Sequence, residues 1–408
     1  MTVDSAATST ATNPETTLVA ERLAAVRGSG WGARIRFVQP RNPAFWVYVV
    51  ITGWGLITLV RYLSAQAPVY GQVIIVAAVL FGLYGALFWW FTQHIDRYAH
   101  QSRAMAVLAA VWGGLGATLA LASPANTPIL SLWAKAFGQA WASDWGAGLT
   151  APFVEELAKG SGLLLLIALV PRAVATAFDG FILGAFIGLG FQIAEDVTYA
   201  LGSAGDQFGA NPVGNALTTI VFRIALGVAS HALYSAVFCA GLVYALGRPA
   251  QPRRLGRGIL LMLTAMALHG VWDDLGGIVG ANFIFMVLSW LVVITVAVLI
   301  AVRVYKVTVV PERAYMRAVL APEAANGTLT TEELDTLAGN HQARKAYRKA
   351  DRAHRRQRTL VLEAARDLAD ELARSGGTDN DRVRYARQEV IRVRPQPGAT
   401  VGSQQDPT

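Results

Sequence analysis

Cysteine and charged residues are scarce in this sequence. The one cysteine among the 408 residues is Cys239, so neither an intramolecular disulfide nor a cysteine-ligated metal cluster can form. Only 15% of the residues are charged and 54% are hydrophobic, whereas an average soluble protein has about 25% charged residues. The shortage lies in residues 44–302, which contain 11 Lys and Arg and 10 acidic residues. These scarcities exclude a soluble enzyme, a disulfide-framework protein and a fibrous protein.

Long apolar runs fill the charge-poor stretch. A helix needs about 20 mostly apolar residues to cross a bilayer. The runs are too long and too continuously apolar for the strands of a membrane barrel, which leaves helices as the spanning structure. The sequence therefore predicts eight transmembrane helices, at roughly 44–60, 70–92, 104–123, 149–170, 180–200, 222–246, 257–275 and 281–302.

The predicted fold class is all-α, a polytopic membrane protein with a soluble helical tail. Residues 1–43 are expected to form a cytosolic N-terminal tail, in which the polar stretch 1–16 is disordered. Residues 44–302 are expected to form the eight-span region. Residues 303–408 are expected to form a basic cytosolic tail that is disordered over 395–408.

Lys and Arg are distributed unequally between the loops on the two sides of the predicted bundle. The N-terminal tail, the C-terminal tail and the loops around Arg97, Arg172 and Arg253 all lie on one side. The only Lys and Arg residues in the predicted loops on the opposite side are Arg61 and Lys135. Cytosolic loops carry the excess of Lys and Arg in membrane proteins. Both termini are therefore predicted to face the cytosol, in a multi-pass protein of a bacterial cell membrane.

Ionisable residues interrupt four successive predicted spans, although a charge at mid-membrane costs about 2.5–3.5 kcal/mol. They are Glu155, Glu156 and Lys159 in the fourth span, Glu195 in the fifth, His231 in the sixth, and His269 and Asp273 in the seventh. At about 1.5 Å rise per residue, all of them lie roughly 8–14 Å below the outer face. Scattered structural residues have no reason to share one depth, so we expect a common functional site near that face.

Helical spacing relates several of these residues to each other. Lys159 follows Glu155 by four residues and Glu156 by three, so its ammonium group can neutralise one of the two carboxylates. His269 and Asp273 are also four residues apart, which allows Asp273 to orient the imidazole and fix its tautomer. These pairs indicate a site in which the charges compensate one another.

Three further charges lie nearer the outer rim of the predicted bundle. Asp196 and Asp274 are expected to be solvated there, and Arg223 is expected to extend toward the outer interface.

The glycines that recur every fourth residue from Gly180 to Gly188, in the fifth predicted span, favour a close helix–helix contact. General tolerance of glycine in membrane helices is the alternative explanation for that spacing.

The order of these residues resembles the PrsW family of intramembrane proteases, a branch of the superfamily that includes the CAAX prenyl endopeptidases. Glu155–Lys159 has the pattern EExxK, Phe191–Glu195 has FxxxE, and the lone His231 and an HxxxD pattern at His269–Asp273 follow. The CAAX endopeptidases look like EExxxR followed by FxxxH. This chain has Lys and Glu at those places, which favours the PrsW branch. The resemblance covers about residues 40–300.

The resemblance implies hydrolysis of a peptide bond in a membrane-anchored protein, and the substrate best known for the family is an anti-sigma-factor-like regulator. The candidate catalytic residues are Glu155, Glu156, Lys159, Glu195, His231, His269 and Asp273. Glu156, or else Glu155, is the expected general base. In one version Glu195, His231 and His269 hold a divalent metal such as zinc. In the other no metal is bound, a glutamate activates water, and the two histidines bind the oxyanion.

Two other functions are compatible with the same residues. Intramembrane acids and histidines also build proton relays and ion sites, so a proton- or ion-coupled transporter is the alternative. Transporters commonly contain internal repeats, and the absence of a clear repeat in this sequence favours the protease. A catalytically inactive scaffold is disfavoured because each intramembrane charge opposes insertion.

The tail following the spans is predicted to be helical over 331–374, beginning with a capping box of Thr330 and Glu333. Residues 344–358 contain eight Lys and Arg against one acid, Asp351. This density could bind anionic lipid headgroups, although a solvated helix that reinforces the cytosolic orientation is the simpler explanation. No nucleic acid partner is expected, because no groove-reading motif is present.

Overall fold

The computed structural model describes residues 14–33, 35–98, 101–227, 230–280 and 282–394. The predicted disorder over residues 1–13 and 395–408 lies outside this description. Residues 14–16 are helical, so the expectation of disorder is wrong for them: Pro14 is the first residue of helix α1. Proline suits this position because the first helical N–H has no partner within the helix.

The described residues are helical almost throughout and contain no β-strand. The helices of the apolar region are α2 (Pro43–Ile95), α3 (Arg103–Val111), a π-helix (Trp112–Ala122), α4 (Ser123–Phe137), α5 (Gln139–Leu169), α6 (Ala177–Ser203), α7 (Pro212–Leu226), α8 (His231–Leu246), α9 (Leu255–Asp273) and α10 (Leu275–Val279). The long helix α11 (Phe283–Ala325) follows. The expected all-α membrane fold is confirmed.

Five helical stretches are long and apolar enough to cross a membrane, and a sixth arises if the bent pair α7 and α8 forms one span. The five are Pro43–Ile95, Arg103–Phe137, Ala177–Ser203, Leu255–Asp273 and Phe283–Ala325. Helix α2 contains two of the predicted spans and has a non-helical residue, Tyr70, at their junction. Helix α5 contains another predicted span. The count of eight spans therefore stays a prediction.

Helix α6 is the most deeply enclosed of the candidate spans, with 83% of its most apolar window buried. It begins with a capping box, in which Thr176 and Asp179 each accept the backbone N–H of the other. Its glycines pack against α8: a Cβ atom on Gly184 would lie 2.7 Å from Cys239 Cβ, and one on Gly188 would lie 2.7 Å from Ala232 Cα. The predicted close helix–helix contact is thus confirmed, and it fixes α6 beside the first turns of α8.

The chain divides into two compact units, Arg34–Val310 and a second unit formed by Met1–Ala33 together with Pro311–Thr408. In the second unit the buried carboxylate of Glu323 accepts hydrogen bonds from Arg22 NH2 at 2.7 Å and from Arg387 Nε at 2.7 Å. Arg22 lies on α1 and Arg387 lies on the last described helix, Asp381–Val393. No sequence pattern indicates this pairing of the two ends of the chain.

The tail helix predicted over 331–374 is divided into three helices, which corrects that prediction. They are α12 (Thr331–Leu337), α13 (His341–Ala350) and α14 (Arg355–Arg374), and α15 (Asp381–Val393) follows. The expected capping box at the start of α12 is confirmed, with Thr330 N donating to Glu333 Oε2 at 2.8 Å. The division has a local cause: Asn340 accepts a hydrogen bond from Ala343 N and so begins α13 as a new helix.

Candidate functional site

The seven ionisable side chains that the sequence singles out form one connected group of polar contacts. Glu155, Glu156 and Lys159 lie on α5, Glu195 on α6, His231 on α8, and His269 and Asp273 on α9. The α5 residues and both histidines are at most 5% exposed. The side chains of Glu195 and Asp273 are 17% and 21% exposed, respectively. Glu195 and Asp273 are therefore the two members of the group that retain the most exposed surface.

Lys159 stands at the centre of the group and has no exposed surface. Its Nζ atom is 2.9 Å from Glu156 Oε1 and 3.4 Å from Glu155 Oε2, so it contacts both carboxylates rather than one. The same atom is 3.1 Å from His231 Nδ1 and 3.9 Å from the centroid of the Phe191 ring. An unpaired buried charge is strongly destabilising. Lys159 thus compensates the acidic pair on its own helix.

Glu155, His231 and His269 are the three residues whose ligand atoms converge most closely. Each offers one ligand atom, and these atoms all lie within 4.8 Å of one another. Glu155 Oε2 is 3.6 Å from His269 Nε2 and 3.7 Å from His231 Nδ1. Ligand atoms at about 2.1 Å from a tetrahedral zinc ion lie about 3.4 Å apart. These two separations and the donor set, one carboxylate and two imidazoles, suit a zinc site.

In each histidine the other ring nitrogen faces a second carboxylate. His231 Nε2 is 2.8 Å from Glu195 Oε2, and His269 Nδ1 is 3.2 Å from Glu156 Oε1. Metal-binding histidines commonly pair with a carboxylate through the nitrogen that does not bind the metal, which fixes the tautomer and the ring orientation. His269 therefore has the surroundings of a metal ligand, whereas Nδ1 of His231, the nitrogen that faces Glu155, also lies 3.1 Å from Lys159 Nζ.

Glu195 lies outside the convergent group, although the sequence analysis places it among the metal ligands. Its Oε2 atom accepts a hydrogen bond from Arg223 NH2 at 2.6 Å and faces His231 Nε2. Arg223 comes from α7 and also pairs with Asp196. This ion pair holds the Glu195 carboxylate at Nε2 of His231, whereas Glu155 faces Nδ1 of the same ring. Among the described residues, the carboxylate that converges with the two histidines is that of Glu155.

The two acids near the rim are buried, so the expectation that they are solvated is wrong. Asp196 has no exposed surface and pairs with Arg223, whose side chain is 25% exposed. Asp274 is 8% exposed and accepts a hydrogen bond from Gly148 N at 2.7 Å. Position along a helix indicates depth, but it does not indicate which neighbouring helix covers a side chain. Arg223 accordingly pairs with acids of α6 instead of only extending to the interface.

Three side chains that the sequence analysis does not single out also contact the group. Ser235 Oγ donates to Glu156 Oε2 at 3.3 Å, and Asn126 Nδ2 donates to Glu155 Oε1 at 3.1 Å. The Tyr234 ring stacks on His269, with 5.4 Å between the ring centroids. Tyr234 and Ser235 follow His231 by three and four residues, so helical spacing could have indicated them. Asn126 lies on α4, a helix outside the predicted spans, and no sequence signal indicates it.

Comparison with models of protein families matches residues 101–302 to the PrsW family intramembrane metalloproteases. The matched stretch contains all seven residues of the polar group. The family resemblance inferred from the motifs is confirmed, and with it the expectation of a protease of the hydrolase class. No curated protein and no solved structure matches the chain.

Proposed function

We propose that the protein is an endopeptidase that cleaves a membrane-anchored protein, because residues 101–302 match the model of the PrsW family intramembrane metalloproteases. The observation that supports this proposal most strongly is the buried Glu155–His231–His269 group. Amide hydrolysis needs an activated water, a proton acceptor and stabilisation of the oxyanion. The polar group and its partly exposed acids supply residues for each of these tasks.

We infer that Glu155, His231 and His269 hold a divalent metal ion, and zinc suits the donor set. When bound, such an ion supplies Lewis-acid activation of water and of the scissile carbonyl. Glu195 and Glu156 then keep the imidazoles of His231 and His269 in the binding orientation, since each accepts from the remote ring nitrogen. Under this proposal Glu195 is a positioning residue rather than a ligand.

Asp273 is the carboxylate best placed to take the proton of the attacking water. Its Oδ2 atom is 3.4 Å from His269 Nε2, the nitrogen that also faces Glu155, and 21% of its side chain is exposed. Glu156, the base that the sequence analysis expects first, has both carboxylate oxygens in contact with protein groups. Its Oε1 atom already contacts Lys159 and His269, and its Oε2 atom accepts from Ser235. We therefore assign Glu156 to the orientation of His269.

The substrate class and the membrane face of the site are proposed from the sequence. We propose that the site opens toward the outer face of a bacterial cell membrane, with both termini in the cytosol. The distribution of Lys and Arg between the loops supports this orientation. A membrane-anchored regulator resembling an anti-sigma factor is the proposed substrate class. The exposed cations of α13, Lys345 and Lys349, are proposed to contact anionic lipid headgroups.

The test compares newly formed protein N-termini in cells that carry the wild type, Glu155→Gln, His269→Ala or no copy of the chain. We expect one or more single-pass membrane proteins to be cut only with the wild type. Metal analysis of the purified proteins should find about one zinc ion in the wild type and a strong loss in both variants. Asp206→Asn, which changes an exposed acid away from the group, is the matched control.

Identical N-terminal profiles in all strains, under several envelope stresses, would overturn the proposed function. Proton or ion flux through the purified protein in liposomes would then support the transporter instead. Cleavage that survives complete removal of metal by a chelator would leave the protease in place and overturn the metal assignment. In that case Glu155 would activate water directly, between the two histidines.

A further inference from the structure

Tyr234 is a buried phenol beside the two histidines of the polar group. It lies on α8 three residues after His231, and therefore on the same face of that helix. Its ring stacks on the His269 ring with an interplanar angle of 23°, and it meets the His231 ring edge-on at 6.5 Å between centroids. The phenol thus touches both imidazoles that we assign to the metal.

The hydroxyl group of Tyr234 differs from other buried phenols in the same unit. Tyr234 is 1% exposed, and among the described residues its hydroxyl has no hydrogen-bond partner. By contrast, the Tyr48 hydroxyl donates to Leu108 O at 2.7 Å, and the Tyr84 hydroxyl accepts from Gln192 Nε2 at 2.9 Å. Buried tyrosine hydroxyls usually find a partner, because an unmade hydrogen bond in the interior is destabilising. A donor kept unpaired beside the reacting groups points to a partner that is present only during the reaction.

We propose that Tyr234 is a further catalytic residue that donates a hydrogen bond to the oxyanion formed at the scissile carbonyl. This inference rests on the proposed function. A donor that is already in place where negative charge develops stabilises the transition state more than the substrate. The burial of Tyr234 strengthens that interaction, since water does not compete for the hydroxyl.

The step balances without a change in the protonation of Tyr234. The oxygen of the attacking water forms a bond to the carbonyl carbon, and the π electron pair of the carbonyl moves onto its oxygen. The proton of the water passes to Asp273. Tyr234 keeps its proton and hydrogen-bonds the oxyanion until the C–N bond breaks. The leaving nitrogen then takes a proton from Asp273, and the carbonyl forms again.

The experiment compares the wild type with Tyr234→Phe and Tyr234→Leu. The probe is a quenched fluorescent peptide that spans the cut site found in the comparison of N-termini, added to purified protein in detergent. The Phe variant keeps the ring on His269 and removes only the hydroxyl, whereas the Leu variant removes both. Tyr48→Phe is the matched control, because it removes a buried hydroxyl whose partner is the backbone oxygen of Leu108 and not a member of the polar group.

We expect Tyr234→Phe to lower kcat about 10²–10³-fold while KM, zinc content and thermal stability stay near those of the wild type. Tyr48→Phe should retain wild-type kcat. If Tyr234→Phe is as active as the wild type and only Tyr234→Leu is impaired, the ring merely supports His269 and the proposal is overturned. If the wild type itself cuts no more than Glu155→Gln, the proposed function fails, and the role of Tyr234 fails with it.

Discussion

Glu195 Oε2 lies 2.8 Å from His231 Nε2 and joins α6 to the first residue of α8. The same carboxylate oxygen accepts a hydrogen bond from Arg223 NH2, so its position is fixed from two sides. The acid of the FxxxE pattern therefore contacts the convergent group through the imidazole of His231. Under the proposed function, this contact makes Glu195 a positioning residue rather than a metal ligand.

Glu195→Gln is expected to weaken zinc binding about 10–100-fold without abolishing it, because the variant loses only the charge that orients His231. His231→Ala removes a ligand and should abolish stoichiometric binding. Competition titrations of the purified variants with a zinc chelator measure both effects. Asp206→Asn is the control at an exposed acid. A loss with Glu195→Gln as complete as that with His231→Ala would place Glu195 among the ligands.

Asp273→Asn is expected to lower kcat by about 10²–10⁴-fold, as removal of a general base does, while zinc remains bound. Glu156→Gln should instead reduce zinc affinity, because Glu156 orients His269. Turnover of the fluorescent peptide and metal content, measured on the same preparations, separate the two roles. The opposite result, with zinc lost in Asp273→Asn and retained in Glu156→Gln, would exchange the two assignments.

Lys159→Met is expected to destabilise the folded protein by about 3–5 kcal/mol, since it leaves two buried carboxylates without their shared cation. Thermal unfolding in detergent measures the change. Adding Glu156→Gln to the same chain should recover part of the loss, because one of the uncompensated charges is then removed. Lys135→Met, at an exposed position of α4, is the control. Equal stability of Lys159→Met and the wild type would contradict the central position of Lys159.

Gly184→Val is expected to destabilise the packing of α6 on α8 by about 1–3 kcal/mol or more, because a Cβ atom there would lie 2.7 Å from Cys239 Cβ. Gly202→Val makes the same change on α6 at a position with open space around it, and it should be tolerated far better. Thermal unfolding and zinc content report on both variants. If the two substitutions prove equally harmless, the close approach of the helices is not needed for the fold.

Glu323→Gln is expected to loosen the unit formed by the two ends of the chain. Glu323 is fully buried and pairs with Arg22 and Arg387, and breaking such an ion pair costs about 3–5 kcal/mol. Hydrogen exchange of α1 and α15 in the full-length protein should rise together. Glu389→Gln removes a carboxylate whose partner Arg392 is 71% exposed, and it should leave the exchange unchanged. Faster exchange in α15 alone would show that α1 is held by other contacts.

Much of the fold could be predicted from the sequence because local patterns specify it. Apolar runs specify membrane helices, and the capping box at Thr330 specifies the start of a helix. The ends of helices were less predictable: the break in α2 is a single non-helical residue, Tyr70, and a cap at Asn340 ends the predicted tail helix early. Whether a helix continues depends on the competition between its backbone hydrogen bonds and local side-chain caps. The pattern of apolar residues does not indicate the outcome of that competition.

For this protein, the sequence alone indicated the resemblance to the PrsW family, the all-α membrane fold and the residues that meet at the site, because intramembrane charges are energetically costly and stand out against an apolar background. The tertiary structure decided which of these residues contact one another. Only the arrangement of α5 against α8 and α9 places Glu155 between the two histidines and Glu195 behind one of them. Only that arrangement brings Asn126 and Tyr234 to the same group. The spacing of residues in a motif predicts which side chains are neighbours on one helix. It does not predict the contacts between helices, because those depend on how the helices pack.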